Sequence, residues 1–271
     1  MTNKNIHTGE VSMISRRGFV ALGLIGLSGM TISTTGCSLV GNDPKILDVG
    51  VKIDVPKFGF QNPQTGEIEG MEVDIAHELA NRLYGSPDAI TVTGVNVTTR
   101  GAMLDTGVLD ATLATFTITE ARKKSYNFTD AYHKDYIGIL VKKSSGIKRF
   151  EDLDKHIIGV AQAATTRQKL EELAYEKEMK LKFSEYATYP EIKVALVSGR
   201  IDAFSVDSSI LQGYLDEHTE LLDTNLGEQE YGIATSKKDP EFSKKINELL
   251  HQMMDDGTLE NIKKKWGLAN G

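Results

Sequence analysis

The run Thr115-Phe116-Thr117-Ile118-Thr119-Glu120-Ala121-Arg122-Lys123-Lys124 puts a cation where a helix opposes one. Leu113 to Ile118 is rich in β-branched and aromatic residues and predicts a strand. Thr119 is a good N-cap, so helical geometry is expected from Glu120. Arg122 then falls at the third helical position, where a capping box would carry Glu or Gln. The positive end of the helix dipole opposes it by roughly a few tenths of a kcal/mol. Something anionic should offset that opposition. Either Glu120 or another surface carboxylate does so, or a ligand carboxylate is held by Arg122, the threonine hydroxyls and free backbone N–H groups. The histidines show no metal-ligand spacing. No Ser/His/Asp or Cys/His arrangement points to catalysis, and neither a cofactor nor a metal is expected.

The elements that must position this segment alternate apolar runs with helical patterns, which predicts α/β architecture. Ile46 to Ile53, Ile90 to Val97, Tyr136 to Lys142, Ile157 to Ala161, Phe183 to Tyr186, Ala203 to Val206 and Tyr231 to Thr235 read as strands. Val73 to Leu83 carries apolar residues at 73, 75, 76, 79, 80 and 83, one face of a helix. Further helices are expected around 102–104 and over 166–180, 190–198, 208–215, 240–254 and 258–266.

The chain starts as an exported protein would. Ser15-Arg16-Arg17-Gly18-Phe19 precedes a short, mildly apolar run that ends in Thr34-Thr35-Gly36-Cys37. This is the form of a secretory signal over residues 1–36, with twin-arginine and Sec export both open. The last four residues resemble a lipobox, which makes Cys37 a lipidation site and 37–45 an anchored linker. Cys37 is the one cysteine, and an odd cysteine in an exported protein needs such an explanation. Cutting residues 1–36 removes Lys4, Arg16, Arg17 and Glu10 and takes the formal charge from −7 to −9. That balance disfavours nucleic acid and anionic lipid headgroups as partners.

Beyond these features the chain resembles the family 3 extracytoplasmic solute-binding proteins that serve polar amino-acid ABC importers. The resemblance rests on Gly59-Phe60, Gly70-Met71-Glu72-Val73-Asp74-Ile75-Ala76, Ala114 to Thr119, Arg122-Lys123-Lys124, Asn127 to Tyr132, Gly199-Arg200-Ile201-Asp202-Ala203, Tyr231-Gly232-Ile233 and Lys265-Trp266-Gly267, in that order. Gly50-Val51-Lys52, Thr99-Arg100-Gly101 and Gly159 to Thr166 look most like the aspartate/glutamate-binding members. The resemblance implies a two-lobed, type II periplasmic-binding-protein-like fold with two hinge strands and the ligand in the interlobe cleft. The chain would cross near 138–141 and return near 230–233, giving lobe 1 as 46–139 plus 231–271 and lobe 2 as 140–230.

The same resemblance assigns roles. Thr115, Thr117 and Arg122 match the clamp for the α-carboxylate, and Thr166 meets the same anion from a second helix start. Asp207 matches the acid that holds the ligand ammonium; a simple helix cap is the bland alternative. Lys52 and Arg100 would face an acidic side chain, and Tyr189 matches a further contact. Counting Lys52, Arg100 and Arg122 against Asp207 gives +2, which favours aspartate or glutamate over a neutral amino acid. The expected partners are that amino acid and a membrane permease, with the protein a monomer anchored outside the cytoplasm through its lipid. The alternatives are a binder of glutamine or another polar amino acid, a cyclohexadienyl-dehydratase-like enzyme on the same fold, and an added adhesin role.

Overall fold

A computed structural model describes residues 45–269; the expected leader, Cys37 and nearly all of the linker lie outside them. The order is β1 (Leu47–Lys52), β2 (Asp54–Val55), β3 (Gly59–Gln61), β4 (Ile68–Glu69), α1 (Met71–Tyr84), β5 (Ile90–Val95), α2 (Thr99–Asp105), β6 (Ala111–Leu113), α3 (Glu120–Lys123) and β7 (Tyr126–Lys142). It continues through β8 (Ile157–Ala161), α4 (Thr166–Glu176), β9 (Lys182–Tyr186), α5 (Tyr189–Val197), β10 (Ala203–Asp207), α6 (Ser208–Gln212), β11 (Thr219–Leu221), β12 (Leu226–Ser236), α7 (Pro240–Asp255) and α8 (Thr258–Lys265).

The main sheet runs β5-β1-β6-β12-β7-β10-β8-β9, with β11 also paired to β7. Strand β1 lies parallel between β5 and β6, and β8 lies parallel between β9 and β10. Strands covered on both faces become near-continuous apolar runs, as in Ile157-Ile158-Gly159-Val160-Ala161. The two parallel groups are joined by the long strands β7 and β12. Residues 126–137 of β7 pair antiparallel with β12, while 137–142 pair with β10 and β11. One strand thus belongs to both ends of the sheet. Register shifts at Tyr231/Gly232 and Gly232/Ala234 break the β12 ladder where it passes the middle.

Sequence periodicity placed most elements within a few residues, and its misses have local causes. The strand expected over 113–118 ends at Leu113, because Thr115 turns into the left-handed region at φ 45°. β7 starts at Tyr126 rather than Tyr136; its polar residues Asn127, Asp130, Lys134 and Asp135 hide a strand that pairing with β12 defines. β12 likewise begins at Leu226, not Tyr231. Helix α6 stops at Gln212, short of Leu215, and α4 at Glu176, short of Lys180. Gly257 rather than Thr258 caps α8.

Helix α1 buries Met71, Val73, Ile75, Ala76, Leu79 and Ala80 against the sheet and ends at Gly85, whose left-handed conformation returns its N–H to Asn81. Its start is fixed by Gly70 at φ 143°, where a Cβ would lie 2.1 Å from the Phe58 carbonyl oxygen. Among the described residues no helix is long and apolar enough to cross a membrane.

His133 on β7 is buried between the rings of Phe58 (5.1 Å) and Tyr231 (5.6 Å), and neither ring nitrogen has a hydrogen-bond partner among the described residues. Burial, with a smaller contribution from the Lys263 charge, lowers its pKa to about 4. The unfolded chain therefore takes up this proton first as pH falls, so stability present above about pH 6.5 is lost towards pH 4. Replacing His133 by Phe should flatten that part of a urea-unfolding profile measured between those pH values; an unchanged slope would assign the acid loss to other groups.

Candidate functional site

The C-terminal ends of β6 and β10 and the N-termini of α3, α4, α5 and α6 converge on one narrow recess. Crevices at the carboxyl ends of strands, bordered by helix N-termini, present free N–H groups and suit anions. Seven of the eight residues singled out in the sequence line it: Arg100, Thr115, Thr117, Arg122, Thr166, Tyr189 and Asp207. Lys52 does not.

Thr119 caps α3 as expected, its Oγ1 accepting from the Arg122 N–H at 3.1 Å. The Arg122 guanidinium donates to the carbonyls of Thr117 (2.8 Å) and Ala163 (3.0 Å). Two of its five N–H groups are thereby committed, and the remainder are available to a carboxylate. Glu120 does not supply the counter-charge: it is exposed and pairs with Lys123 at 2.8 Å. Burial first, and then the Arg100 charge, lower the Arg122 pKa to about 9. Arg100 is 3% exposed and donates to the carbonyls of Ala114 (2.5 Å) and Thr115 (3.0 Å), while its Nε has no partner among the described residues. The two guanidinium groups lie 4.1 and 4.8 Å from the centre of the Phe116 ring, a cation–π arrangement that partly offsets their desolvation.

Asp207 precedes α6 but its side chain makes no capping bond. It accepts instead from the Tyr231 hydroxyl. Burial, then the nearby Asp135 charge, raise its pKa to about 7. Thr165 and Thr166 show no helix-capping bond either; the Thr165 hydroxyl donates to Gln229 Oε1 at 2.7 Å, and Thr166 is buried at the start of α4. The Thr115 hydroxyl is buried without a partner among the described residues. A recess with two cations, one carboxylate and unspent hydroxyls is complementary to a small zwitterion.

The count of Lys52 as a free cation is corrected by the structure. Lys52 is fully buried at the end of β1, with Nζ 2.9 Å from Asp54 Oδ1 and 4.2 Å from the centre of the Tyr189 ring. Asp54 also accepts from the Tyr189 N–H at 3.3 Å, and its carbonyl accepts from the Tyr214 hydroxyl. With Lys52 neutralised, the groups lining the recess carry +1 rather than +2. Sequence reasoning missed Asp54, Glu72 and Tyr231. Glu72 was legible: it falls three and seven residues before Ile75 and Leu79, on the apolar face of α1, and is fully buried.

A sequence model of the bacterial extracellular solute-binding proteins, family 3, matches residues 47–269. The chain belongs to that family. The glutamine-binding protein GlnH of an ABC transporter of Bacillus subtilis (strain 168) is 40% identical over 221 residues, covering 80% of this chain and 79% of that protein. The glutamate-binding protein GluB of Corynebacterium glutamicum is 28% identical over 276 residues, covering 92% and 91%. An ancestral arginine-binding protein bound to arginine superimposes with a TM-score of 0.73 at 31% identity, over 82% of this chain and 98% of that one. The fold of this family member is therefore the two-lobed type II arrangement.

Removing one partner of the Lys52–Asp54 pair leaves the other buried and uncompensated. Lys52→Met or Asp54→Leu alone should each cost about 3 kcal/mol, and the double variant clearly less than their sum. Chemical denaturation of the four proteins measures the difference; additive losses would show the pair to be uncoupled.

Proposed function

We propose that this chain is the receptor of an ABC importer for a polar amino acid, and that the preferred ligand has an acidic side chain, aspartate or glutamate. The observation that carries the reading is that Arg122 and Asp207 line one recess together with Thr115, Thr117 and Thr166. In this reading Arg122, the threonines and the α4 N-terminus hold the α-carboxylate. Asp207 holds the ammonium, and Arg100 meets the side-chain carboxylate. Tyr189 closes the recess from α5. The lining charge of +1 is opposite to the net negative charge of a dicarboxylic amino acid and complements it. Lys52 supports this only at one remove, through the Tyr189 ring and Asp54.

The relatives named above include a glutamine-binding and a glutamate-binding protein, and glutamine is the second reading, favoured by the 40% identity to GlnH. Turnover of prephenate or arogenate would identify instead the dehydratase-like enzyme considered from the sequence; the relatives named above are binding proteins. We further propose lobe 1 as 46–139 plus 231–271 and lobe 2 as 140–230. Closure of the lobes over the ligand would present a surface to membrane permease subunits. The protein would act as a monomer, tethered outside the cytoplasm through lipid on Cys37 after removal of 1–36.

Isothermal titration with the twenty amino acids tests the reading. Heat with aspartate or glutamate and none with neutral or basic amino acids is expected; heat with glutamine alone would replace the acidic reading by the second one. Arg122→Ala and Asp207→Asn each leave one end of the zwitterion unpaired and should weaken binding by about 30- to 1,000-fold. Because Asp207 must be ionised to hold an ammonium, affinity should fall as pH drops below about 7.

A further inference from the structure

Glu72 lies outside the recess and touches no surface. It sits in the first turn of α1, whose start is tied to the preceding loop by Met71 N–H to the Lys57 carbonyl (2.7 Å) and Glu72 N–H to the Phe58 carbonyl (2.9 Å). Two donors converge on its Oε1: the Thr115 N–H at 2.6 Å and the Tyr132 hydroxyl. Its Oε2 has no partner among the described residues.

Thr115 is the residue where β6 turns into the recess. It is β-branched and stands at φ 45°, a conformation that persists only where its surroundings enforce it. Its N–H goes to Glu72, its carbonyl accepts from Arg100 at 3.0 Å, and its hydroxyl lines the recess. Glu72 and Arg100 thus hold one residue, the first at its N–H and the second at its carbonyl. The charged groups acting on Glu72 are Arg100 from α2 and Lys52 from β1; Tyr132 of β7 and the Thr115 N–H are its neutral donors. Lys52 is itself matched by Asp54.

We infer that Glu72 is a positioning and specificity-determining residue: it holds the Thr115 turn from behind, and its proton sets the net charge that the recess accepts. This rests on the amino-acid reading above. With Glu72 protonated, Lys52, Arg100 and Arg122 against Asp54 and Asp207 sum to +1, complementary to aspartate or glutamate. With Glu72 ionised the sum is zero, complementary to a ligand of zero net charge such as glutamine. Burial, opposed by its two hydrogen bonds and by the Arg100 and Lys52 charges, raises the carboxyl to about 7, so both states are reached near neutral pH. Asp207 titrates in the same range with the opposite requirement, since it must be ionised to meet the ammonium. The acidic ligands therefore have an optimum: Asp207 sets the acid limb and Glu72 the alkaline one.

The test is calorimetric titration of the wild-type protein, Glu72→Gln and Tyr132→Phe with aspartate, glutamate and glutamine between about pH 6 and 8. Two buffers of different ionisation enthalpy count the protons exchanged, and a melting curve confirms folding of each variant. In the wild type, affinity for the acidic ligands should fall by up to about tenfold per pH unit above neutrality, with proton uptake on binding; glutamine should not show that fall. Glu72→Gln should abolish the alkaline limb and its proton uptake while keeping the acid limb. Tyr132→Phe removes a donor that favours the ionised carboxyl, so its alkaline limb should move to higher pH. This second variant keeps the inference open to refutation where Glu72→Gln does not fold. Profiles of either variant that superimpose on the wild type, or equal losses for acidic and neutral ligands, overturn it. Failure of the wild type to bind any of the three amino acids would instead remove the amino-acid reading on which it rests.

Discussion

A cation drawn out of water must be answered locally, and much of this molecule is arranged to answer three of them, two buried and one half-buried. Arg100, Arg122 and Lys52 reach the same region from α2, α3 and β1, where isolated charges would cost several kcal/mol each. Arg100 and Arg122 are spread over backbone carbonyls and flank one aromatic ring, while Lys52 is met by a carboxylate. The left-handed turn at Thr115 follows from this need: it brings two successive carbonyls, of residues 114 and 115, to a single guanidinium nitrogen. The Thr115 hydroxyl is buried beside them without a partner among the described residues. The positive field that suits an anion is thus held in place by the backbone.

How much of this could be read from the chain depended on the range of the interaction. Thr119 as a cap, the helix after it and the alternation of strands and helices are local matters, and residue type and spacing disclosed them. Resemblance supplied Asp207 and Thr166, whose side chains prove free of helix-capping duty. What escaped was set by partners far along the chain. Nothing near Lys52 marked Asp54 as its counter-ion and not a surface acid, since the pair depends on burial beneath Tyr189 and Tyr214. The polar first half of β7 became a strand because β12, about a hundred residues later, lies beside it. Charge counting by residue type therefore overstated the positive charge of the recess by one.

The sheet order explains how a site made of distant segments stays in register. Thr115 and Thr117 follow β6, Asp207 ends β10, and the antiparallel strands β12 and β7 lie between those two. Tyr231 belongs to β12 and reaches Asp207 with its hydroxyl, while its neighbour on β7, His133, packs against the same ring. The strands that connect the two halves of the molecule also line up the groups on either side of the recess.

On α6's far end, Gly213 faces Pro56, and a Cβ there would come within 2.9 Å of the proline ring. Both partners are stiff: one has no side chain to move aside, and the other is a closed ring. A methyl group at this spot would act as a doorstop, holding residues 54–56 off the 212–214 turn and loosening the seat of Tyr214 on the Asp54 carbonyl. Because Asp54 also accepts from the Tyr189 N–H, the disturbance would reach the recess through Tyr189. The close packing of Gly213 on Pro56 is therefore felt at the lining of the recess at one remove, through Asp54 and Tyr189.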